Sequence, residues 1–527
     1  MRALILLASL CCIAALIKNV ADAFGVHQKI WEPKRPRSTQ AYVTLLYGDE
    51  FLLGVRVLGK SIRDTGTSKD LAVLVSDGVS MDAIRLLEAD GWIVERIELL
   101  SNPNQQRPAR FWGVYTKLKI FNMTQYQKVV YLDADTIVVK DIEDLFQCQK
   151  FCANLKHSER LNSGVMVVEP SAELFDDMLK KVSTLPSYTG GDQGFLNSYY
   201  PDFPNAQLFD PNLKPDQRTP RQMERLSTLY NADVGLYVLA NKWMVDGSQL
   251  RVVHYTLGPL KPWDWWTEWL LKPVDLWQDI RRSLKSSLPG TGGGLVPHDR
   301  FVVGVLSVLP VFLVALLIWY RRRPPNGVRT PLCNASLCGW MRQFRLYRTV
   351  LGVLSAAGNG ANYQNGHTKH IALISIVVCF VLALLSAGAA FHLIPRQVMP
   401  WTGMLLLYEW TIFLFSLSFG TFLGLLYDWG KSTSSSSSPP YKGHSKQASI
   451  WDMETTSYGF GMAALTLLVP CLPFLLGITA MFARVGTFVG AGMVLAVFMT
   501  YSAQNLGVRW FLLGREDGGS SLDLMNH

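Results

Sequence analysis

The sequence predicts two joined architectures: an α/β domain built on a mostly parallel sheet, then an all-α bundle of membrane-crossing helices. Three observations predict them. Between residues 41 and 168, short apolar runs alternate with amphipathic ones, the order that lays helices on both faces of a parallel sheet. One such run, KVVYL from residue 128, ends on two carboxylates one residue apart, Asp133 and Asp135. After residue 300 come five apolar runs, each long enough to cross a hydrocarbon layer of ~30 Å.

Taken in order, the chain begins with Arg2, an apolar stretch over 3–17 and a small-x-small site at Ala21-Asp22-Ala23. That pattern, within residues 1–23, is a secretory signal peptide or signal anchor rather than a fold element, and it delivers the next segment of the chain to the secretory lumen. A lumenal domain spans 39–285. In it, 41–47 reads as a strand, and 51–64 as a helix with Leu52, Val55, Leu58 and Ile62 on one face. Residues 71–75 form a second strand and 81–89 a helix with Ser80 as its cap. Strands follow at 93–97, 128–133 and 165–168. No internal repeat emerges. A Gly-rich linker over 286–300 leads to the membrane.

The expected spans are 301–320, 371–394, 403–426, 459–482 and 486–508, with Pro310, Pro470 and Pro473 tolerated as kinks. They explain a mean hydropathy of +0.16 in a 527-residue chain. Arg321, Arg322, Arg323, Arg329, Arg342, Arg345, Arg348 and Lys369 load the loop 321–370, which the positive-inside rule places in the cytosol. Alternation then puts 428–458, with Lys431, Lys442 and Lys446, and the tail 509–527 on the same side. The first half falls in the lumen, in agreement with the signal sequence. The net charge of +9 therefore orients a bundle against anionic lipid and needs no nucleic acid. Cys148 and Cys152 lie where a disulfide is allowed, whereas Cys333 and Cys338 belong to a reducing compartment.

Residues i and i+2 of an extended backbone project the same way, so Asp133 and Asp135 can share one divalent cation. Hard oxygen ligands suit Mg2+ or Mn2+. Such a site at the end of a parallel strand is where α/β sheets bind nucleotides. His254, ending the strand-like stretch 250–253, can supply a third ligand through a neutral ring nitrogen. Lys261, after a Gly-Pro turn, can reach a diphosphate as a point charge.

This set resembles the glycogenin family of retaining glycosyltransferases. Further blocks match in order over about 39–275: AYVTLLYGD from residue 41, YTKL from 115, LNSGV from 161 and GGDQG from 190. The resemblance implies a GT-A type, Rossmann-like mixed sheet, a UDP-sugar donor, and Mn2+ with Mg2+ as a substitute. It implies metal ligation by Asp133, Asp135 and His254, and catalytic roles for Lys117 and Asp192. Donor contacts are implied for Leu45, Tyr47, Ala134, Asn162, Ser163, Gly164, Thr189, Gly190, Gly191, Asp192 and Gln193. The second segment adds Tyr255, Thr256, Leu257, Gly258, Pro259 and Lys261. Asp192 is either a nucleophile or an electrostatic stabiliser of an oxocarbenium-like sugar. This chain departs from the family at Gly48 and Phe51, where an Asn and then a Tyr are usual, and base stacking falls to Tyr47 or Phe51. Tyr237 stands where the family's self-glucosylated tyrosine does, or simply packs.

With its multi-pass bundle and the run HYTLGPLKPWDWW from residue 254, the chain most closely resembles the plant inositol phosphorylceramide glucuronosyltransferases. These lie within the plant glycogenin-like starch initiation protein group. That likeness implies transfer of glucuronic acid from UDP-glucuronate to a membrane sphingolipid, by a multi-pass Golgi protein whose catalytic domain is lumenal. The alternatives are a Golgi transferase acting on a polysaccharide such as xylan, a self-glucosylating primer, and an inactive scaffold or transporter. Five tryptophans between 263 and 277 either press the active site onto the bilayer or fill the domain core. Glu409, with His392 and Arg396 toward the same lumenal end, forms either an ion pair or contacts to a lipid headgroup.

Overall fold

The computed structural model describes residues 38–102, 113–156, 159–213, 220–287, 294–322, 366–433 and 468–523. The chain divides into two compact units, one of residues 22–297 and one containing 298–527.

The first unit opens with β1 (Gln40–Leu46), α1 (Leu52–Asp64), β2 (Asp70–Val75), α2 (Met81–Ala89) and β3 (Ile93–Arg96). A 3-10 segment, Val114–Asn122, leads to β4 (Lys128–Leu132) and β5 (Thr136–Val138). Then come β6 (Phe151–Leu155), β7 (Leu161–Val168), α3 (Ala172–Lys181), α4 (Asp192–Tyr199), β8 (Gln207–Leu208) and β9 (Met223–Leu226). The expected early elements are found to within a residue or two, and Ser80 caps α2 by accepting from Ala83 N at 3.2 Å. The eight-stranded sheet runs β3-β2-β1-β4-β7-β6-β9-β8. Every strand points the same way except β7, which lies antiparallel to both β4 and β6.

Side chains alternate across each strand, so the sheet has two cores. Tyr42 and Leu46 of β1 pack with Val55, Leu58 and Ile62 of α1. Ala41, Val43 and Leu45 join Tyr115, Leu118 and Phe121 on the opposite face. Burial on both faces is why these strands read as unbroken apolar runs.

A second, three-stranded sheet positions the metal-ligand candidates. It contains β10 (Ala232–Asp233), β11 (Val252–His254) and β5, in the order β10-β11-β5. Because β11 runs antiparallel to β5, His254 falls opposite Thr136, the residue after Asp135. Register alone thus carries His254 across a long stretch of sequence to the acidic turn. After β10 comes α5 (Val234–Ala240), and α6 (Thr267–Leu270) and α7 (Val274–Ser287) close the unit.

The tryptophan run belongs to the domain core, which corrects the bilayer-pressing alternative. Trp263, Trp265, Trp269 and Trp277 are all buried, and only Trp266 stays half-buried. Trp263 is fixed edge-on against Phe51, with ring centroids 5.3 Å apart. Cys148 and Cys152 are joined in a disulfide.

The second unit holds α8 (Pro297–Arg322), α9 (Gly366–Leu393), α10 (Pro400–Thr433), α11 (Leu472–Leu475) and α12 (Met481–Asp523). Among the described residues, four of these helices, α8, α9, α10 and α12, are long and apolar enough to cross a membrane. They match the first, second, third and fifth expected spans. The expected span 459–482 lies outside the described residues up to 467. Its remainder is α11 and a turn at Gly477, φ +64°, rather than one continuous helix. Apolar side chains on the bundle's outer face, such as Leu384 at 74 % exposure, have no reason to face water.

α10 and α12 run parallel, since contacts advance together along both: Gly507 against Leu426, Gly430 against Phe511, Gly514 against Lys431. A Cβ at Gly430 or Gly514 would overlap the facing backbone, so these glycines let the two helices touch. Glu409 and His392 form no ion pair with each other.

Candidate active site

β4 delivers the chain into a tight turn. The carbonyl of Asp133 accepts from Thr136 N at 3.0 Å and from Thr136 Oγ1 at 2.7 Å. Asp133 N donates to the Gly164 carbonyl at 2.9 Å, and Tyr255 N donates to the Asp135 carbonyl at 3.0 Å. The acids are thus pinned through their backbone to β7 and to the chain leaving β11. Gly54 of α1 tightens the turn from outside, because a Cβ there would stand 2.5 Å from the Ala134 carbonyl and 2.7 Å from the Trp263 ring.

Each acid gives one oxygen to a protein donor and turns the other toward His254. Asp133 Oδ1 accepts from Tyr131 OH at 2.8 Å and lies 2.9 Å from Lys117 Nζ. Asp133 Oδ2 lies 3.9 Å from His254 Nε2. Asp135 Oδ2 takes Lys261 Nζ at 2.6 Å, and its Oδ1 lies 3.4 Å from His254 Nε2. Ligand atoms of the three residues lie within 4.8 Å of one another. Burial by itself raises the carboxyl of Asp135, whereas the Lys261 ammonium against Oδ2, and His254 whenever it carries a second proton, pull it below the usual carboxylate range.

The tautomer of His254 follows from an amide chain anchored on backbone. Gly164 N donates to Asn162 Oδ1 at 3.1 Å, which fixes how that amide points. Asn162 Nδ2 then donates to Gln193 Oε1 at 2.9 Å, and Asn231 Nδ2 donates to Asn162 Oδ1 at 2.7 Å. Asn231 Oδ1 is left to accept from His254 Nδ1–H at 2.9 Å. The Nε2 lone pair therefore faces two carboxylate oxygens. Two hard oxygens and one imidazole nitrogen, with the second ring nitrogen held by an amide, form a donor set that fits a divalent cation. Asn231→Ala, which frees the ring without touching a ligand, is expected to weaken Mn2+ binding by about 10–100-fold. A Mn2+ titration followed by electron paramagnetic resonance, with thermal unfolding as the folding control, checks it.

Lys117 joins the metal turn to the expected sugar segments. Its ammonium lies 3.2 Å from Asp192 Oδ2, besides its contact with Asp133, and 3.3 Å from both Ser163 O and Ser163 Oγ. Burial favours loss of its proton, but Asp133 and Asp192 together raise the ammonium above its ordinary value and keep it charged. Ser163 Oγ donates to the same Asp192 Oδ2 at 2.7 Å. Asp192 opens α4 after a turn in which Gly190 takes φ +71°, and Thr189 Oγ1 accepts from Gly191 N and Gly194 N. Gly258, at φ +62°, makes the second left-handed turn, on the path that brings Lys261 back to Asp135.

The structure thus gathers Lys117, Asp133, Ala134, Asp135, Asn162, Ser163, Gly164, Asp192, Gln193, His254 and Lys261 into one connected centre. Tyr47 and Phe51 stand nearby with ring centroids 6.0 Å apart, and Lys261 Nζ lies 6.0 Å from the Phe51 ring centre. Three of the expected donor contacts have their side chains engaged within the protein. The side chain of Leu45 lies in the core, and Tyr255 is buried with its hydroxyl donating to the Pro273 carbonyl at 2.8 Å, so each offers only backbone. Thr256 is turned onto Asp233, which caps α5. Tyr131 and Asn231 were not singled out from the sequence. Tyr131 stands two residues before Asp133 on one strand face and was legible by period, whereas nothing local marks Asn231.

Residues 42–267 match the family model for glycosyl transferase family 8. Inositol phosphorylceramide glucuronosyltransferase 1 of Arabidopsis thaliana is 58 % identical over 498 residues, 91 % of this chain and 92 % of that one. UDP-glucuronate:xylan alpha-glucuronosyltransferase 2 of Arabidopsis thaliana is 33 % identical over 234 residues, 44 % of this chain and 37 % of that one. Among solved structures, the galactosyltransferase LgtC in complex with donor and acceptor sugar analogs aligns over 48 % of this chain and 100 % of its own. At 18 % identity and a TM-score of 0.33 that likeness carries no argument.

Proposed function

Because the chain belongs to glycosyl transferase family 8, we propose that it moves glucuronic acid from UDP-glucuronate to the inositol headgroup of inositol phosphorylceramide, with retention of configuration. It does so at the lumenal face of the Golgi membrane. One observation carries this reading: the 58 % likeness covers 91 % of the chain and so runs on through the membrane unit, whereas the xylan relative stops at 44 %. A bundle shared with a sphingolipid-modifying relative suits an acceptor that lives in the bilayer.

A divalent cation, Mn2+ by preference, held by Asp133, Asp135 and His254 would supply Lewis-acid charge against the donor diphosphate. Lys261 adds a point charge on the same side, and its contact with Asp135 keeps that charge aimed there. Tyr47 and Phe51 offer ring faces to the uracil. Asn162, Ser163 and Gln193 are neutral hydrogen-bonders suited to sugar hydroxyls. Asp192 is the closest carboxylate to that segment, and its Oδ2 is already engaged by Ser163 and Lys117. An oxygen bound to a hydroxyl and an ammonium is a poor nucleophile and a good fixed charge. With that oxygen fixed by two donors, the role we assign to Asp192 is stabilisation of positive charge developing at the anomeric carbon. Tyr237 packs against Trp243 at a tilt of 47°, ring centroids 4.7 Å apart, which favours the packing role over that of a sugar acceptor.

The five-crossing topology goes with this reading. Its support is the parallel course of α10 and α12, with the apolar run 459–482 between them in sequence.

Membranes carrying the chain, fed labelled UDP-glucuronate with inositol phosphorylceramide, xylan or no acceptor, test the function. The expected product is a sphingolipid heavier by one glucuronosyl residue, lost on chelation with EDTA and restored by Mn2+. Label in xylan, or on Tyr237, overturns the lipid assignment.

A further inference from the structure

Resting on the reading as a glucuronosyltransferase, we infer that Arg160 is a specificity-determining residue that takes up an anionic oxygen group of a substrate. That group is either the carboxylate of the donor sugar or the phosphate of the lipid acceptor.

Three features place it. Arg160 directly precedes β7 on the regularly paired side of an irregularity between Asn162 and Met166, so Arg160 and Asn162 are alternate positions of one extended stretch and project to the same side. At ~3.3 Å per residue Arg160 stands roughly 7 Å along the strand from Asn162. Gly164 underlies His254, Asn162 holds the amide chain, and Arg160 stands at the rim. A chain of contacts joins the same points. His254, Asn231, Asn162 and Gln193 are hydrogen-bonded in series, Gln193 Nε2 donates to Tyr188 OH at 3.0 Å, and the Arg160 guanidinium lies 3.8 Å over the Tyr188 ring. The backbone beneath is held too, since Lys156 N donates to the Arg160 carbonyl at 2.9 Å.

The third feature is charge. Among the described residues no carboxylate pairs with Arg160. Nearby Lys156, by contrast, is neutralised by Asp233 at 3.0 Å. A planar guanidinium oriented by an aromatic face, with its edge unspent, is preorganised for two parallel hydrogen bonds to carboxylate or phosphate. The expected donor sugar segments on this strand lie one alternate position inward. A neutral hexose would offer the guanidinium no charge to pair with.

Arg160→Met keeps the stem over Tyr188 and removes the charge, while Arg160→Lys keeps the charge and loses the fork. On the detergent-solubilised full chain with Mn2+, calorimetry reads Kd for UDP-glucuronate, UDP-glucose and UDP, and a lipid assay reads KM for inositol phosphorylceramide. If the group is the donor carboxylate, Arg160→Met weakens UDP-glucuronate about tenfold and leaves UDP-glucose and UDP unchanged. If it is the acceptor phosphate, the three donor affinities hold and KM for the lipid rises about tenfold at constant kcat. In either case Arg160→Lys restores only part of the loss. Wild-type donor affinities together with a wild-type lipid KM in Arg160→Met overturn the inference. A wild-type chain that makes no lipid product sinks the functional reading alone, because the donor arm reads binding and stands without it.

Discussion

Asp135→Asn is expected to lower sugar transfer on the order of 10³-fold, at the upper end of what loss of one preorganised charge-stabilising group costs. The carboxamide preserves shape, so the change isolates charge. Asp135 is buried, and its Oδ1 faces His254 Nε2 at 3.4 Å while its Oδ2 receives Lys261 at 2.6 Å. Removing its charge takes away one hard ligand. It also leaves the Lys261 ammonium partly buried against a neutral amide, so the point charge meant for the diphosphate loses its mooring. Both effects weaken electrostatic stabilisation of the departing nucleotide. Mn2+ affinity, read by electron paramagnetic resonance, should fall alongside the rate, while thermal unfolding stays within a few degrees of wild type. A variant with wild-type Mn2+ affinity would remove Asp135 from the ligand set, and normal transfer despite lost Mn2+ binding would remove the metal from the chemistry.

How much of this was legible beforehand depended on whether the signal was local. Strands β1, β2 and β4 declare themselves by apolar runs, and α1 and α2 by a one-sided face and a serine cap, all within a dozen residues. The paired acids are likewise a local pattern at a strand end. The reversed direction of β7 was not legible, because an unbroken apolar run buried on both faces reads the same in either sense. The partnership of Asn231 with His254 was equally hidden. It arises when β10 and β11 pair in parallel with Asp233 opposite His254, a register that neither segment encodes alone. The tryptophans between 263 and 277 show the opposite failure. An indole serves a core and an interface equally well by composition, and only packing against α1 and α7 decides. In the membrane unit, length and hydropathy located four helices, but the glycines that let α10 and α12 run parallel and touch have no meaning until the partner backbone is in place.

Gly164→Ala should be nearly as damaging as loss of a metal ligand, although the residue has no side chain to contribute. A Cβ built there overlaps His254 Cε1 and stands 2.6 Å from Nδ1. Its backbone φ is not in the left-handed region, so the cost is steric rather than conformational. Something must shift, and the options are poor. The backbone at 164 is fixed by its carbonyl, which accepts from Asp133 N at 2.9 Å, and by its N–H, which donates to Asn162 Oδ1. The imidazole is the only mobile partner. Displacing it pulls Nδ1 off Asn231 and carries Nε2 away from both carboxylates. The expected result is Mn2+ binding weakened by at least ~10–100-fold, as for a lost supporting contact, with transfer falling in parallel. Excess Mn2+ should recover part of the rate, since the two acids remain. Asn162→Ala is the informative comparison: it removes the amide that positions Asn231 but leaves room for the ring. If Gly164→Ala bound Mn2+ like wild type, the imidazole would not be a ligand, and the centre would reduce to two carboxylates and two lysines.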